Sequence, residues 1–363
     1  MMKFPDTVNA AELDHFDAIL DVRSPSEFAE DHIPGAANYP VLDDTERAEV
    51  GTLHKQVSPF AAKIRGAAII SKRIATYIEG DFAPRPKDWR PLVYCWRGGK
   101  RSGAMRHILR EIGWQAATLD GGYKAYRRMV IAQLDTLPRE FRYVVVCGET
   151  GSAKSRILEA IAARGAQVLD LEHLANHRGS VLGHPPDSAQ PAQRLFESRV
   201  WDCLRKLDAS RPVFVESESK KVGELHVPDA LMSTVRESPC IRIAASVAAR
   251  VEFLLREYRH FISDPPSLHA RLESLATLYP RTVIARWLAK TNTGQWAEFV
   301  QDMLENHYDP AYQRSMDRNF SQLPNALVVE LASLDTVSID RAARQIIEAS
   351  PYLPASRPVL QTG

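Results

Sequence analysis

This sequence lacks long apolar runs, an apolar signal-peptide core and closely spaced cysteines. Its 363 residues contain no run of eighteen apolar residues, so no transmembrane helix and no membrane partner are expected. The first residues, Met-Met-Lys-Phe-Pro-Asp, lack the apolar core of a signal peptide. The four cysteines are far apart and form no Cys-x-x-Cys pair. This spacing argues against a disulfide scaffold or a zinc site, and we therefore expect a cytoplasmic protein with no certain metal site.

The chain also has almost no net charge, +1 at pH 7, so the whole molecule is not a polycation. The charge is nevertheless uneven, because ten Lys and Arg face only four Asp and Glu between Arg97 and Arg142. A solvated surface explains this excess as readily as contact with a polyanion through phosphate neutralisation. The length suggests two or three domains, and the 45% apolar content is ordinary for a globular protein.

A cysteine lies between a predicted strand and a predicted helix. Residues 91–94 are apolar and β-prone, and residues 103–113 carry apolar side chains at helical spacing. The run between them is Cys95-Trp96-Arg97-Gly98-Gly99-Lys100-Arg101-Ser102. Its glycines let successive N–H groups point inward and bind an anion, and its three cations favour the thiolate form of Cys95. We therefore predict a nucleophilic cysteine in an anion-binding loop, rather than a buried structural cysteine.

Motifs on both sides of this loop resemble the rhodanese family in order and spacing. They are the runs from Asp21 to Phe28, from His32 to Ala36 and from Asp120 to Arg127. The resemblance implies a small doubly wound α/β domain whose cysteine, at the carboxyl end of a parallel strand, carries sulfur as a persulfide. From the residues alone, Asp21 and Arg23 are interpreted as a buried pair that stabilises a turn.

The cysteine loop departs from the rhodanese pattern in its length. Common rhodanese loops place the next arginine or threonine one residue nearer the cysteine. Here Cys95, Arg101 and Ser102 form Cys-x5-Arg-Ser, which is the spacing of cysteine phosphatases. Because a wider loop can hold a larger tetrahedral anion, we expect the ligand to include a phosphate or a phosphate analogue.

A second strand, loop and helix opens the other half of the chain. Residues 141–147 predict a buried parallel strand, and residues 156–163 continue as a helix. The run between them is Gly148-Glu149-Thr150-Gly151-Ser152-Ala153-Lys154-Ser155. This context is the one that a P-loop requires, and it favours a phosphate-binding loop over a chance glycine-rich turn.

Each part of this loop has a predicted role. Lys154 reaches the outer oxygens of a diphosphate, and Ser155 can hold a magnesium ion. The usual pattern has glycine before the lysine, whereas this chain has Ala153, which makes ordinary nucleotide hydrolysis less expected. The residues predicted to surround the diphosphate are Gly148, Thr150, Gly151, Ser152, Lys154 and Ser155.

Later strands and helices complete the predicted fold class. We expect an α/β protein in which a rhodanese-like doubly wound domain, residues 1–136, precedes a P-loop domain with a parallel sheet and a helical C-terminal part, residues 140–350. Residues 351–363 are predicted to form a flexible tail. Asp170 and Glu216 end strands and are candidate contacts of a metal's water shell, although Glu216 could equally be a solvated strand end.

The combined motif set resembles bacterial tRNA 2-selenouridine synthases over nearly the whole chain up to Leu331. It consists of the cysteine loop, the Asp120–Arg127 run, the P-loop and the polar run from Leu174 to Ser180. The resemblance implies that 2-thiouridine at the tRNA wobble position is converted to 2-selenouridine. The sulfur is first alkylated with geranyl diphosphate, and selenium from selenophosphate then replaces the geranylated sulfur. Magnesium is a candidate cofactor.

The resemblance also implies roles for individual residues. Cys95 would hold selenium as a selenyl sulfide or attack to assist exchange, while its loop would bind the phosphate of selenophosphate. Trp96 is our candidate for stacking on an unpaired base of the anticodon loop. Lys124, Arg127 and Arg128 would contact phosphates of the anticodon arm. The expected partners are tRNA containing 2-thiouridine and, as a further candidate, the protein that supplies selenophosphate.

Two other functional classes stay open at this stage. One is a cysteine phosphatase with a P-loop regulatory domain, suggested by the Cys-x5-Arg-Ser spacing. Such enzymes usually have histidine before the cysteine, whereas this chain has Tyr94. The other is a non-enzymatic sulfur-relay module, which would carry a persulfide on Cys95 without making a modified nucleoside.

Overall fold

The computed structural model describes residues 4–177, 189–275 and 279–352. Contacts divide the chain into two compact units, of which the first contains Met1–Leu134 and Pro191–Asp202. The second contains Asp135–Gln190 and Cys203–Gly363. Residues 178–180 of the predicted polar loop and residues 353–363 of the predicted tail lie outside the described ranges. Within those ranges no helix is both long and apolar enough to cross a membrane.

The first unit is built on a parallel five-stranded sheet in the order β1-β5-β4-β2-β3. β2 pairs with the central strand, β4, with Leu20 opposite Val93. All four residues of β4 are buried, as the apolar sequence before the cysteine loop predicts. The strands are β1 (Thr7–Val8), β2 (Ala18–Asp21), β3 (Ala37–Asn38), β4 (Pro91–Tyr94) and β5 (Ala117–Leu119).

Helices connect these strands. The longest of them, Pro59–Tyr77, buries Ile69 and Ile74, whereas the preceding helix, Asp44–Gln56, was not predicted. That helix has no buried residue, so its apolar periodicity is weak, but Asp43 and Glu46 form a capping box at its start. The α-helices are α1 (Pro25–Glu30), α2 (Asp44–Gln56), α3 (Pro59–Tyr77), α4 (Lys100–Ile112) and α5 (Gly122–Leu134).

The predicted pairing of Asp21 with Arg23 is confirmed. Both side chains are at most 1% exposed, and Arg23 Nη2 lies 2.5 Å from Asp21 Oδ2. Arg23 Nη2 also donates to the Asp31 carbonyl at 2.6 Å. The guanidinium lies 4.0 Å from the centre of the Tyr123 ring. The pair therefore joins the end of β2 to the residue that follows α1 and to the start of α5.

Replacing Arg23 with alanine is expected to lower the free energy of unfolding of the first unit by about 3–5 kcal/mol, because it leaves a buried carboxylate without its partner. Arg90→Ala is the matched control, since Arg90 and its partner Asp17 are 44% and 40% exposed. The control is expected to cost less than about 1 kcal/mol. Denaturant unfolding followed by tryptophan fluorescence measures both changes. Equal costs for the two variants would contradict a structural role for the buried pair.

A segment from the second half of the chain belongs to the first unit. It forms most of the helix α8 (Gln193–Leu204). The Trp201 ring packs edge-on against Tyr126 with centroids 5.5 Å apart, and its indole N–H donates to Gln133. Apolar and polar contacts therefore both attach this segment to α5.

The second unit contains a parallel sheet in the order β12-β11-β6-β8-β7. The central strand, β6, leads into the P-loop, and the strand order reverses beside it. In such sheets ligands bind at this reversal, beyond the carboxyl ends of the strands. The strands are β6 (Tyr143–Cys147), β7 (Gln167–Leu169), β8 (Val213–Glu216), β11 (Cys240–Ala245) and β12 (Leu327–Leu331), with a separate antiparallel pair, β9 (Lys221–Val222) and β10 (Leu225–His226).

The helices of this unit form two groups. α6 and α16 pack on the sheet, where Ile157, Ile161 and Ile346 enter its core. A second cluster gathers Phe261, Trp287, Phe299 and neighbouring apolar residues from the helical part. The helices are α6 (Lys154–Ala163), α7 (Leu171–Leu174), α9 (Asp229–Arg236), α10 (Val247–Glu257), α11 (Arg259–Ser263), α12 (Pro265–Ser274), α13 (Arg281–Asn292), α14 (Trp296–Met303), α15 (Asp309–Asn319) and α16 (Thr336–Ala349).

Candidate active sites

The cysteine loop of the first unit is held by the start of α5. The first N–H groups of a helix have no partner within the helix. In α5 these groups bind the loop instead, because Tyr123 N–H donates to the Cys95 carbonyl at 2.9 Å and Lys124 N–H to the Trp96 carbonyl at 3.0 Å. The chain segment that follows Gly121 therefore positions the backbone of the cysteine loop.

Two glycines make this close approach possible. Gly98 has φ of +66°, and an added Cβ there would lie 2.7 Å from the Leu119 carbonyl oxygen. Gly122 has φ of +57°, and an added Cβ would overlap the Cys95 carbonyl oxygen and the Gly98 nitrogen. Any side chain at either position would force the loop and the helix apart.

The Cys95 thiol lies at the base of the loop and is 4% exposed. Its sulfur is 3.2 Å from Ser102 Oγ, and that hydroxyl also lies 3.3 Å from the Gly99 carbonyl. Cys95 precedes the N-terminus of α4, where the helix dipole is positive. Ser102, in the first turn of α4, thus orients the sulfur.

The loop cations differ in their availability. Arg97 and Lys100 are exposed, and neither has an ion-pair partner in the described part of the chain. Arg101 instead donates to Glu27 Oε2 at 2.9 Å. Burial raises the pKa of Glu27, but Arg101, the Ser24 N–H and Arg47 together hold it below its usual value. Arg97 and Lys100 are therefore better placed than Arg101 to meet an incoming anion.

Trp96 is half-buried, and its ring lies 5.2 Å from the Tyr123 ring at an angle of 31°. One face therefore supports the cysteine loop. Its role in base stacking stays a prediction.

The three predicted RNA-contact cations also differ. Lys124 and Arg128 are exposed, lack ion-pair partners in the described ranges, and lie four residues apart on one helix face. Arg127 is only 13% exposed, forms an ion pair with Glu197 and lies 3.9 Å from Asp31. Arg127 is thus occupied by acidic residues within the first unit, which the sequence did not reveal.

Two residues of the P-loop in the second unit adopt a left-handed backbone conformation. Gly151 has φ of +79°, and Ala153 adopts φ of +63° although it is not glycine. The alanine therefore takes a conformation that glycine adopts freely, at a cost of about 1–2 kcal/mol. An added Cβ on Gly148 would lie 3.2 Å from Ile243, so the loop also approaches β11 closely.

One hydroxyl in this loop has no hydrogen-bond partner among the described residues. Ser152 is 1% exposed, and its Oγ is unpaired. Because a buried polar atom without a partner is costly, such an atom indicates a missing acceptor or donor. Ser152 also lines the P-loop cavity, a space of about 420 Å³ that contains Lys154 and Ser155. This arrangement fits an oxyanion ligand.

Lys154 and Ser155 have partners within the second unit. Lys154 Nζ donates to the Gly148 carbonyl at 2.6 Å and lies 5.3 Å from the centre of the Tyr312 ring. Ser155 Oγ donates to Glu172 Oε2 at 2.7 Å. The Tyr312 hydroxyl accepts from the Gly148 N–H at 2.7 Å. The predicted lysine and serine therefore face the same cavity.

Each half of the chain matches a known protein family. Residues 6–129 match the family described as "Rhodanese-like domain", and residues 141–265 match "tRNA 2-selenouridine synthase AAA domain". The tRNA 2-selenouridine synthase of Alcanivorax borkumensis is 32% identical, over 83% of this chain and 90% of that protein. The chain belongs to the tRNA 2-selenouridine synthase family. The similarly named protein of Cupriavidus necator is 36% identical, over 81% of this chain and 87% of that protein.

Within this member of the tRNA 2-selenouridine synthase family, the two predicted acidic residues lie in different surroundings. Asp170 caps α7 by accepting from His173 N–H at 2.7 Å, and burial raises its pKa. Glu216 is 2% exposed, so the alternative of a solvated strand end is wrong. Burial and the nearby Asp170 and Glu172 carboxylates raise the pKa of Glu216 well above its usual value.

The sequence did not single out Glu172 or Tyr312. Glu172 contacts the P-loop serine, and Glu216 Oε1 accepts from the Glu172 N–H at 2.8 Å. In the sequence, Glu172 is marked only by its position as an acidic residue in the first turn of the helix after β7. Tyr312 carries no local signal, because it reaches the P-loop from α15, more than 150 residues further along the chain.

The oxygen atoms of Ser155 and Glu172 fit magnesium, which prefers hard oxygen ligands and often shares them with substrate phosphates. The described residues contain no cluster of three or more His, Cys, Asp or Glu suited to a metal ion. Ser155 and Glu172 are the residues of the P-loop site whose oxygen atoms would hold a magnesium ion.

Proposed function

We propose that the chain converts 2-thiouridine in tRNA to 2-selenouridine, using geranyl diphosphate and selenophosphate. The observation that supports this most strongly is the Cys95 thiol beside Ser102 in a loop with two unpaired cations, in a member of this family. The P-loop cavity of the second unit, lined by Lys154 and Ser155, supports the diphosphate part of this proposal. Magnesium, shared between the diphosphate and Ser155 with Glu172, would add positive charge there.

In the first step, the sulfur of 2-thiouridine attacks C1 of the geranyl group. The C1–O bond breaks, diphosphate departs, and the N3 proton of the base is lost to solvent. The barrier depends on how well the charge that develops on the departing diphosphate is stabilised. Lys154, Ser152 and the loop N–H groups provide that stabilisation, and no nucleotide hydrolysis is needed.

In the second step, the Cys95 thiolate adds to C2 of the base and expels geranylthiolate. Selenium from selenophosphate then adds to C2, Cys95 departs as thiolate, and water takes the phosphoryl group as phosphate. These steps need no oxidant or reductant, whereas releasing selenium from a selenyl sulfide on Cys95 would consume a reductant. Arg97 and Lys100 would meet the phosphate group of selenophosphate.

The test is nucleoside analysis of 2-thiouridine tRNA after incubation with the purified chain. With geranyl diphosphate alone, S-geranyl-2-thiouridine is expected, and adding selenophosphate should convert it to 2-selenouridine. Mass spectrometry of digested tRNA measures both products. Hydrolysis of an aryl phosphate without any change in the tRNA would instead support the phosphatase alternative.

Four exposed cations near the cysteine loop suit the phosphates of an RNA strand. Arg97 and Lys100 belong to the loop, and Lys124 and Arg128 lie on the helix whose first N–H groups bind that loop. We call these four residues the cation strip. Phosphate contacts would position the tRNA without specifying its sequence.

The double variant Lys124→Glu, Arg128→Glu is expected to weaken tRNA binding and to flatten the salt dependence of the binding constant by about two in logarithmic slope. Lys63→Glu with Lys72→Glu is the matched control, because both lysines are exposed on α3, outside the cation strip. Fluorescence anisotropy at several salt concentrations measures the slope. A slope that both double variants leave at the wild-type value would exclude Lys124 and Arg128 from the RNA interface.

A further inference from the structure

An apolar cavity adjoins the P-loop cavity within the second unit. It has a volume of about 70 Å³ and lies between α10 and α14. The side chains that define it include Leu254, Leu255, Tyr258, Phe299, Val300 and Met303. We call this space the apolar cavity.

The two cavities share part of their walls. Thr150, Leu254 and Tyr258 line both of them. Leu254 packs directly on the P-loop, since an added Cβ on Gly151 would lie 2.8 Å from its Cδ1. The P-loop cavity therefore adjoins the apolar cavity, and a ligand held by its diphosphate could extend through the first cavity into the second.

The apolar side chains that line the apolar cavity favour some diphosphate ligands over others. A nucleoside diphosphate continues from its phosphates into a ribose, whose hydroxyl groups would lose their hydrogen bonds in such a cavity. A prenyl diphosphate continues directly into a hydrocarbon chain, which gains by leaving water. Its volume of about 70 Å³ limits the apolar cavity to a short segment of such a chain.

From this continuity we infer that the apolar cavity binds the terminal isoprene unit of the prenyl diphosphate whose diphosphate occupies the P-loop. The inference rests on the proposed function and extends it, because it assigns the choice of alkyl donor to α10 and α14. A one-unit chain, dimethylallyl diphosphate, would end before the apolar cavity. A two-unit chain, geranyl diphosphate, would fill it.

The experiment compares dissociation constants of geranyl diphosphate, dimethylallyl diphosphate and inorganic diphosphate for the full chain. Val300→Phe should fill the apolar cavity, and Leu255→Asn should place an amide in it at similar volume. Both are expected to weaken geranyl diphosphate binding by about tenfold or more. Binding of the other two ligands should not change, which also shows that the variants are folded. Val337→Phe is the control, because Val337 is 66% exposed on α16.

The outcomes separate this inference from the proposed function. If the wild-type chain binds geranyl diphosphate more tightly than inorganic diphosphate, but neither variant reduces that preference, the apolar cavity is not the chain site and only the inference fails. If the wild-type chain shows no preference for geranyl over inorganic diphosphate, the proposed donor fails as well. A selective loss in both variants supports the inference.

Discussion

Cys95→Ala is expected to abolish formation of 2-selenouridine, with a loss on the order of 10³-fold or more, and to leave formation of S-geranyl-2-thiouridine nearly unchanged. The Cys95 sulfur is the only protein nucleophile that we assign to the exchange at C2 of the base. Alkylation of the base depends instead on the P-loop. The variant should therefore accumulate the geranylated nucleoside when both co-substrates are present. Mass spectrometry of tRNA nucleosides over a time course measures the two products together.

Two further variants sharpen this test. Ser102→Ala removes the hydroxyl that lies 3.2 Å from the sulfur, so a smaller loss, of about tenfold, is expected in selenation alone. Cys203→Ala removes a partly buried thiol on α8 and should change neither product. If Cys95→Ala made 2-selenouridine at the wild-type rate, the assignment of the nucleophile would be wrong.

Lys154→Ala is expected to weaken binding of geranyl diphosphate by about tenfold to a hundredfold, because hydrogen bonds to charged groups contribute about 1.5–3 kcal/mol. It should slow geranylation further, since the positive charge also stabilises the departing diphosphate. Isothermal titration measures the dissociation constant, and single-turnover kinetics with saturating donor measures the chemical step.

Lys221→Ala is the control for the loss of one positive charge, because it removes an exposed lysine from β9 in the same unit. It should leave donor binding unchanged. A second control supplies S-geranyl-2-thiouridine tRNA directly. With that substrate and selenophosphate, Lys154→Ala should make 2-selenouridine at the wild-type rate. If the wild type and Lys154→Ala bound geranyl diphosphate with equal dissociation constants, the P-loop would not be the donor-binding site.

The sequence predicted the strand, loop and helix at each site because those signals are local. Tyr94 ends a four-residue apolar strand, and Lys154 begins a helix directly after a glycine-rich loop, so neighbouring residues are enough to define both turns. The same reasoning predicted the buried pair of Asp21 and Arg23, which are two residues apart. It missed α2, since a helix without buried residues has little apolar periodicity.

Charge availability could not be predicted in the same way. The sequence from Arg97 to Arg142 has an excess of basic residues. This excess does not reveal which of the cations form ion pairs. Arg101 pairs with Glu27, 74 residues earlier, and Arg127 pairs with Glu197, 70 residues later. An ion pair between such distant positions depends on which elements are adjacent in the fold, which composition does not encode.

By itself, the sequence determined where the chain can form a cysteine loop and a P-loop, since glycine, lysine and serine at fixed spacing act through their own backbone. Only the tertiary structure decided what those loops contact. It brought Gly122 against the Cys95 loop and Glu172 to Ser155. It also formed the apolar cavity between α10 and α14, beside the P-loop. These contacts join residues from separate elements, so they arise only once the elements have packed together.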